Sequence, residues 1–330
     1  MITLNHRVIV APIIETILSL ILGFTISIIV LESLDYDSIR SIQLMLIHGF
    51  RDISYLLSIS SPLILSALAF LVPLRAGLFN IGSEGQVYAG ALLFLYISQY
   101  NGILAILLGA ISGAIIGGLI GFIRAYRGVN EVISSIMLNW TLFYMVMFIV
   151  TRYLSDPIYT HQSIRAGLIL GFIELLLLAI TSTIVIHIIL YSTTLGYEIR
   201  LLGSSIRAAK YSGVNVDSTI FKSMAIGGML AGLAGALRVS NTGFIDITMS
   251  ALFGLGFTGI GVALIGRAHP LAVIPSALLV SGLTIGGHRV ELRLGTPPEL
   301  ADVIVGIIIL ALSIPYAFSI LQVKLRGGRL

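Results

Sequence analysis

The sequence predicts an all-α, polytopic membrane protein with about ten transmembrane helices. Apolar residues occupy 57% of the 330 positions and charged residues only 10%, whereas a soluble domain carries about 25% charged residues. The mean hydropathy is +1.05. Long stretches without Asp, Glu, Lys or Arg recur along the chain, and a helix needs roughly 20 apolar residues to cross a bilayer. There is no cysteine, which excludes disulfides, thiol nucleophiles and thiolate metal sites.

The predicted spans follow the uncharged stretches in order. The third stretch is long enough for two helices and is divided near residues 100–102. The first is interpreted as a retained helix, because it carries Glu15 and lacks the small-residue cleavage pattern of a signal peptide. The stretches are Thr16–Leu31, Ile53–Leu74, Gly85–Ile123, Val132–Thr151, Leu175–Tyr197, Ser223–Leu237, Ile247–Gly266, Ala268–Val290 and Val303–Val323.

The distribution of positive charge predicts the orientation. An even number of spans places both termini on one side, and loops on the cytoplasmic side are enriched in Lys and Arg. With the N-terminus inside, twelve Lys and Arg residues lie inside and seven outside. We therefore expect a single transmembrane domain over residues 1–330, multi-pass in the cell membrane, with both termini cytoplasmic. The segment Tyr36–Ser54 has mixed polarity and is expected to form a surface helix on the outer face.

Two kinds of internal pattern concern helix packing. The segments Glu131–Leu138 and Asp302–Ile309 share an acid, Val-Ile and a small residue, and lie five spans apart, which is the spacing of an inverted-topology repeat. Glycines spaced by four residues predict close helix packing in lipid. They are Gly109, Gly113, Gly117 and Gly121 in one span and Gly228 and Gly232, with Ala236, in another.

A polar segment, AGLFNIGSEGQVYAG, interrupts the apolar sequence at residues 76–90. Irregular backbone at membrane depth is tolerated only inside protein or beside a water-filled cavity, and broken helices in transporters commonly mark the substrate site. The alternative is an ordinary cytoplasmic turn with Glu84 in water. The candidate contacts for a polar solute are Phe79, Asn80, Glu84, Gln86 and Tyr88.

Several residues within the spans are further candidates. Asn139 and Trp140 could hold a planar polar ligand by hydrogen bonding and stacking, or could simply pack between helices. Glu174 is expected about a third of the way into its span, and an acidic residue inside the membrane indicates a functional role. Gly254, Gly256 and Gly259 match G-x-G-x-x-G, but a dinucleotide site needs a preceding strand, so we expect only a thin helix that bends or breaks.

The longest inner connection is the loop at residues 191–223. Within it, a serine N-cap and a glycine stop predict a short helix, with Arg207 and Lys210 on its exposed face. A solvated, positively charged cytoplasmic loop would explain the same residues. The candidate residues of the segment are Ser205, Arg207, Ala208, Ala209, Lys210, Tyr211 and Gly213.

Three blocks of the chain resemble the permease subunits of ABC importers in the branched-chain amino acid, ribose and nucleoside group. They are GLFNIGSEGQ (Gly77–Gln86), GVNEVISSIMLNW (Gly128–Trp140) and GFTGIGVALIGRAHPL (Gly256–Leu271). The first is most similar to the nucleoside-type members. The resemblance covers residues 55–320. The short helix at 205–213 resembles the family's coupling helix, with Ser205 and Ile206 in place of the usual Asn and Pro.

The resemblance implies a permease that translocates nucleosides or a related sugar-like solute. It implies ABC ATPase subunits carrying ATP and Mg, a second permease subunit, identical or related, and an extracellular solute-binding protein that docks on Tyr36–Ser54 and Thr151–Gly167. The chain has no G-x-x-x-x-G-K-[ST] motif, metal-ligand cluster or catalytic constellation, so no enzyme activity, cofactor or metal is expected in it. No nucleic-acid motif occurs. The alternative is an ion-coupled secondary transporter that uses Glu174.

Overall fold

The structure is a computed structural model that describes residues 6–159, 161–246, 248–250 and 252–325. Within these ranges the secondary structure is helical, apart from two isolated β-bridges, as the sequence predicts. The predicted cytoplasmic termini, residues 1–5 and 326–330, lie outside the described residues. The helices are α1 (His6–Ser33), α2 (Ser38–Gly49), α3 (Ile53–Arg75), α4 (Ser83–Ile97), α5 (Gly102–Arg127), α6 (Glu131–Tyr153), α7 (Phe172–Ser192), α8 (Thr194–Ser204), α9 (Ile206–Tyr211), α10 (Val216–Thr242), α11 (Leu255–Ile265), α12 (Pro270–Leu294) and α13 (Pro298–Leu325).

Seven helices in the described residues are long and apolar enough to cross a membrane: α1, α3, α5, α6, α7, α10 and α12. The predicted number of about ten is therefore not confirmed. Two of the predicted spans are short helices, α4 with 15 residues and α11 with 11. At about 1.5 Å per residue, neither reaches across a hydrocarbon core of about 30 Å. The inverted repeat stays a prediction.

The chain forms two compact units. Residues 1–56 and 278–330 form the terminal unit, in which α1 packs on α13 and α2 packs on the second half of α12. The predicted surface helix is α2, capped by the side chain of Asp37, which accepts a hydrogen bond from the backbone N–H of Arg40. Residues 57–277 form the central unit, which contains all the candidate site residues.

The central unit is built around α10, which packs against α5 and α4, and these two helices also pack on each other. The predicted glycine stripes meet each other here. A Cβ added to Gly113 would lie 2.1 Å from the carbonyl oxygen of Gly228, and one added to Gly232 would lie 2.3 Å from that of Gly109. A Cβ added to Gly90 on α4 would likewise lie 2.1 Å from the carbonyl oxygen of Gly232. A Cβ added to Gly109 would also lie 3.1 Å from the carbonyl oxygen of Gly90, so α4, α5 and α10 are in mutual backbone contact near Gly232.

This packing predicts that Gly113→Ala destabilises the protein. The added methyl group has no room, and overpacking of this kind costs about 1–3 kcal/mol. The matched control is Gly306→Ala in α13, where an added Cβ meets nothing within 4 Å. Thermal unfolding in detergent should show a lowered midpoint for the first variant only. Equal midpoints for the two variants would contradict the packing.

Candidate functional site

The polar segment between α3 and α4 is irregular and buried. Gly77 adopts a left-handed φ of +78° just after α3 ends. The side chains of Asn80 and Gln86 are fully buried and pair with each other: the Asn80 amide donates to Gln86 Oε1 at 3.0 Å, and the Gln86 amide donates to Asn80 Oδ1 at 3.1 Å. Glu84 is only 1% exposed. The segment is therefore not a solvated turn, because the carboxylate lies inside the protein.

Asn139 on α6 holds the start of α4. Its Oδ1 accepts a hydrogen bond from the backbone N–H of Gly85 at 2.9 Å, and its Nδ2 donates to the carbonyl oxygen of Ile81 at 3.0 Å. These two groups lie at a helix start, where backbone donors lack partners within the helix. The side chain of Asn139 thus fixes α6 against the irregular segment.

The carboxylate of Glu84 caps the N-terminus of α11. Its Oε1 accepts hydrogen bonds from the Tyr88 hydroxyl at 2.6 Å and from the backbone N–H of Gly254 at 2.5 Å. Its Oε2 accepts from the N–H groups of Gly256 at 2.6 Å and Phe257 at 3.2 Å. A helix N-terminus favours an anion because its free N–H groups and its dipole both point at the charge. Glu84 therefore joins the starts of the two short helices.

The glycines of the G-x-G-x-x-G match serve this junction. Gly254 has a left-handed φ of +82°. A Cβ on Gly256 would lie 2.5 Å from the Cα of Glu84, and one on Gly259 would lie 2.3 Å from the Ser66 hydroxyl oxygen. The helix is shorter than the predicted span, because α11 begins only at Leu255, and it continues without a break to Ile265. Because Gly256 and Gly259 have no side chains, Glu84 and helix α3 can approach α11 closely.

A small cavity of about 40 Å³ lies beside the Glu84 carboxylate. Its walls are aromatic: the ring centroids of Trp140 and Phe143 lie 5.8 Å apart, and those of Phe143 and Phe253 lie 6.0 Å apart. Trp140 is 51% exposed and Phe253 is 53% exposed, so this aromatic face is open on one side. The lining residues are Glu84, Tyr88, Ile136, Asn139, Trp140, Phe143, Phe253 and Phe257.

The structure brings together only some of the predicted contact residues. Glu84, Asn139 and Trp140 line this cavity, as does Tyr88. Phe79 instead packs edge-to-face on Phe70, with ring centroids 5.3 Å apart. Asn80 and Gln86 are absent from the lining and bind each other. The sequence reasoning missed Phe143, Phe253 and Phe257. The spacing of Phe143, three residues after Trp140 on one helix face, is a signal that could have found the first of them.

The predicted short helix in the inner loop is present as α9. The Ser205 hydroxyl accepts a hydrogen bond from the backbone N–H of Ala208 at 3.3 Å, which confirms the serine cap. Gly213 ends the helix with a φ of +79°. Arg207, Ala208 and Lys210 are exposed, and Tyr211 is 93% exposed, whereas Ala209 is fully buried. The helix therefore stands on Ala209 and presents the rest of its surface outward.

The helix that precedes α9 touches the start of the polar segment. A Cβ on Gly203, the penultimate residue of α8, would lie 2.2 Å from the carbonyl oxygen of Arg75 and 3.2 Å from the backbone nitrogen of Gly77. The Arg75 side chain also donates to the carbonyl oxygen of Ala268 at 2.7 Å. The turn at residues 75–77 thus contacts the inner loop on one side and continues directly into the buried segment on the other.

Glu174 does not occupy the position predicted for it. It is the third residue of α7, in the first turn, and its side chain is exposed. The first-turn position suits a carboxylate because the helix dipole stabilises a negative charge there. The prediction of an acid a third of the way into the span was wrong, because the helix begins only at Phe172.

Comparison with known proteins agrees with this architecture. The family model described as a permease component of the branched-chain amino acid transport system matches residues 52–313. The chain is 31% identical to the guanosine ABC transporter permease protein NupP of Bacillus subtilis, over 81% of this chain and 82% of the relative. It is 30% identical to the nucleoside ABC transporter permease protein NupB of Lactococcus lactis subsp. cremoris, over 94% of this chain and 93% of the relative.

A third relative shows a different named solute. The glucose ABC transporter permease protein TsgB13 of Haloferax volcanii is 27% identical over 90% of this chain and 86% of its own length. The match to the family model covers well over half of the 330 residues. The polar segment, the Asn139 block and the glycine block all fall inside it. The chain therefore belongs to this family of transport permeases and is a membrane-spanning permease subunit of an ABC importer.

Proposed function

We propose that this permease translocates nucleosides, or a closely related sugar-bearing solute, delivered by an external binding protein. The observation that carries the proposal is the cavity beside Glu84, which is lined by aromatic rings together with the buried polar side chains of Glu84, Tyr88 and Asn139. Planar bases stack on aromatic rings, and a few placed polar groups orient them. Two of the relatives are named for guanosine and nucleosides, and a third is named for glucose. Glucose has no planar ring that could stack on the aromatic walls, so the cavity favours nucleosides over glucose.

The polar side chains of the cavity favour passage of a solute over tight binding. The Glu84 carboxylate already accepts four hydrogen bonds, so its capacity is spent on holding the short helices. The Tyr88 oxygen retains acceptor capacity and the Asn139 amide retains one N–H for a solute. With so few free groups, a solute binds weakly here and is released easily, and the affinity comes from the external binding protein.

The open aromatic face supports a role for a second permease subunit, identical or related. The cavity of about 40 Å³ is far smaller than the roughly 300–1,000 Å³ of ordinary ligand pockets. The exposed side chains of Trp140, Phe253 and Phe257 form one side of a larger path. A second subunit that faces them would supply the other side and shield the rings from lipid.

The inner loop supports coupling to a separate ATPase. In this proposal α9 docks on an ATPase subunit, which carries ATP and Mg, through Ser205, Arg207, Ala208, Lys210, Tyr211 and Gly213. The buried Ala209 transmits the movement of the ATPase subunits to the rest of the permease. The contact of Gly203 with Arg75 and Gly77 then carries the displacement to the polar segment and the cavity. Solute is moved by this rearrangement, and the permease itself carries out no covalent reaction.

Reconstitution tests the proposal. The permease, co-purified with its partner subunits, is placed in vesicles with the ATPase side facing the lumen, and uptake of radiolabelled guanosine presented outside with its binding protein is measured with and without ATP enclosed in the lumen. We expect uptake that requires ATP, is inhibited by other nucleosides and not by leucine, and is unchanged by Glu174→Gln. Uptake that proceeds without ATP, collapses with an uncoupler and is lost in Glu174→Gln would instead establish an ion-coupled carrier.

Trp140→Ala is predicted to weaken transport about tenfold, because one base-on-aromatic stacking contact contributes about 1–3 kcal/mol. The measurement is the concentration dependence of guanosine uptake in the same vesicles. Trp140→Phe keeps an aromatic face and should retain most of the activity. The matched control is Phe148→Ala on the same helix, which removes a 59% exposed ring that does not line the cavity. Equal losses for the two alanine variants would contradict the stacking role.

A further inference from the structure

The terminal unit carries a basic pocket outside the solute cavity and the inner loop, partly within the segment Tyr36–Ser54 on which the binding protein is expected to dock. It is lined by His48, Arg51, Asp52, Ile53, Arg289 and Arg293 and has a volume of about 550 Å³. None of these residues belongs to the solute cavity or to the inner loop. The orientation predicted from the Lys and Arg distribution places the pocket on the outer side of the membrane.

The pocket stands on a rigid support. A Cβ on Gly49 would lie 2.1 Å from the carbonyl oxygen of Gly282, and one on Gly286 would lie 2.0 Å from that of Met45. The backbones of α2 and α12 are therefore in direct contact. The end of α2 lies at Gly282, near the middle of α12, and the turn before it lies at Gly286. Arg289 and Arg293 reach the pocket from the last turns of α12, and His48 and Arg51 reach it from the end of α2 and the residues that follow.

Positive charge exceeds negative charge in the pocket, since three arginines line it together with one acid, Asp52. Arg289 and Arg293 are four residues apart on one helix face, an arrangement in which like charges repel. Among the described residues, no ion pair joins Arg51, Arg289 or Arg293 to an acid. The one acid in the lining, Asp52, uses its Oδ1 to accept the backbone N–H of Tyr55 at 3.1 Å. Desolvation and the charges of Arg293, Arg51 and Arg289 lower the pKa of His48.

The surroundings of the pocket are apolar. Ile47 is 62% exposed, Ile53 is 65% exposed and Leu292 is 74% exposed. Helices with exposed apolar side chains and adjacent basic groups lie at the interface between acyl chains and headgroups. Basic clusters at this level attract anionic lipid, and the planar fork of an arginine matches a phosphate oxygen pair.

We propose that this pocket binds the phosphate group of an anionic lipid headgroup, with Arg289 and Arg293 as the main contacts, Arg51 as a third cation and the apolar rim against the acyl chains. The site is independent of which solute the permease carries. A lipid held here contacts both the end of α2 and the last turns of α12.

Native mass spectrometry of the permease, purified with its partner subunits, tests the site. The probes are dioleoyl-phosphatidylglycerol and the zwitterionic dioleoyl-phosphatidylcholine, and the test variant is the double substitution Arg289→Gln/Arg293→Gln. Each surface cation contributes about 1 kcal/mol to anionic lipid binding, so retention of phosphatidylglycerol should fall about thirtyfold. The matched control is Arg40→Gln, which removes an exposed arginine of α2 outside the pocket and should retain the lipid. Unfolding midpoints measured in parallel check that the variants are folded.

The outcomes separate the possible sources of the anion. Selective retention of phosphatidylglycerol that is lost in the double variant and resists inorganic phosphate supports the proposal. Equal retention in the wild type and the double variant overturns it. Displacement of the lipid by inorganic phosphate also overturns it, in favour of a soluble anion. Unchanged lipid binding with loss of binding-protein docking in the double variant overturns it in favour of an acidic protein partner.

Discussion

Glu84→Gln is expected to reduce solute uptake by about tenfold or more. The carboxylate accepts hydrogen bonds from Tyr88 and from the backbone N–H groups of Gly254, Gly256 and Phe257. In either orientation, the glutamine amide directs its NH2 group at one or more backbone N–H groups that need an acceptor. A buried donor left without a partner costs about 1–3 kcal/mol, which is a large fraction of the energy that holds two short helices in place. ATP-dependent uptake in vesicles measures the effect.

Two controls make the Glu84 prediction specific. Glu299→Gln makes the same change at an exposed acid in the first turn of α13 and should leave uptake unchanged. Tyr88→Phe removes one of the four donors and leaves the carboxylate on α11, so it should reduce uptake less than Glu84→Gln. The amount of permease that assembles with the ATPase is measured in the same membranes. Wild-type uptake by Glu84→Gln would show that the junction of α4 and α11 does not depend on the charge.

Gly203→Ala is expected to separate ATP hydrolysis from transport. The new methyl group would lie 2.2 Å from the carbonyl oxygen of Arg75, so α8 and α9 must move away from the turn at residues 75–77. Overpacking at such a site costs about 1–3 kcal/mol, enough to shift the geometry without unfolding the chain. We expect uptake to fall about tenfold while the reconstituted complex retains most of its ATPase activity, because α9 itself is unchanged.

The neighbouring substitution Ser204→Ala controls for position. The Ser204 side chain is exposed and donates a hydrogen bond to the carbonyl oxygen of Leu201 at 2.8 Å within its own helix, so its removal should affect neither activity. The ratio of solute transported to ATP hydrolysed is the decisive quantity. A parallel fall of both activities in Gly203→Ala would leave this ratio unchanged. That outcome would assign the contact to stability alone and exclude it as the route of coupling.

The features that the sequence alone determined are those that depend on near neighbours. The uncharged stretches identify the helical, membrane-embedded class because each crossing must be apolar along its whole length. The serine cap and glycine stop of α9 were found because capping depends on residues within one turn. The glycine stripes of α5 and α10 were recognised as packing surfaces from their spacing of four residues. The resemblance of three blocks identified the family.

The tertiary structure decided what those features contact. Nothing in the spacing shows that Gly113 meets Gly228, or that the carboxylate of Glu84 caps a helix 170 residues away along the chain. The roles of Asn80 and Gln86 changed for the same reason, since their amides bind each other once the segment is buried. Local hydrogen bonds are set by sequence separation, whereas the partner of a buried face is set by which surfaces fit together without leaving polar groups unpaired. The solute cavity is made of such contacts, so only the fold could assemble it.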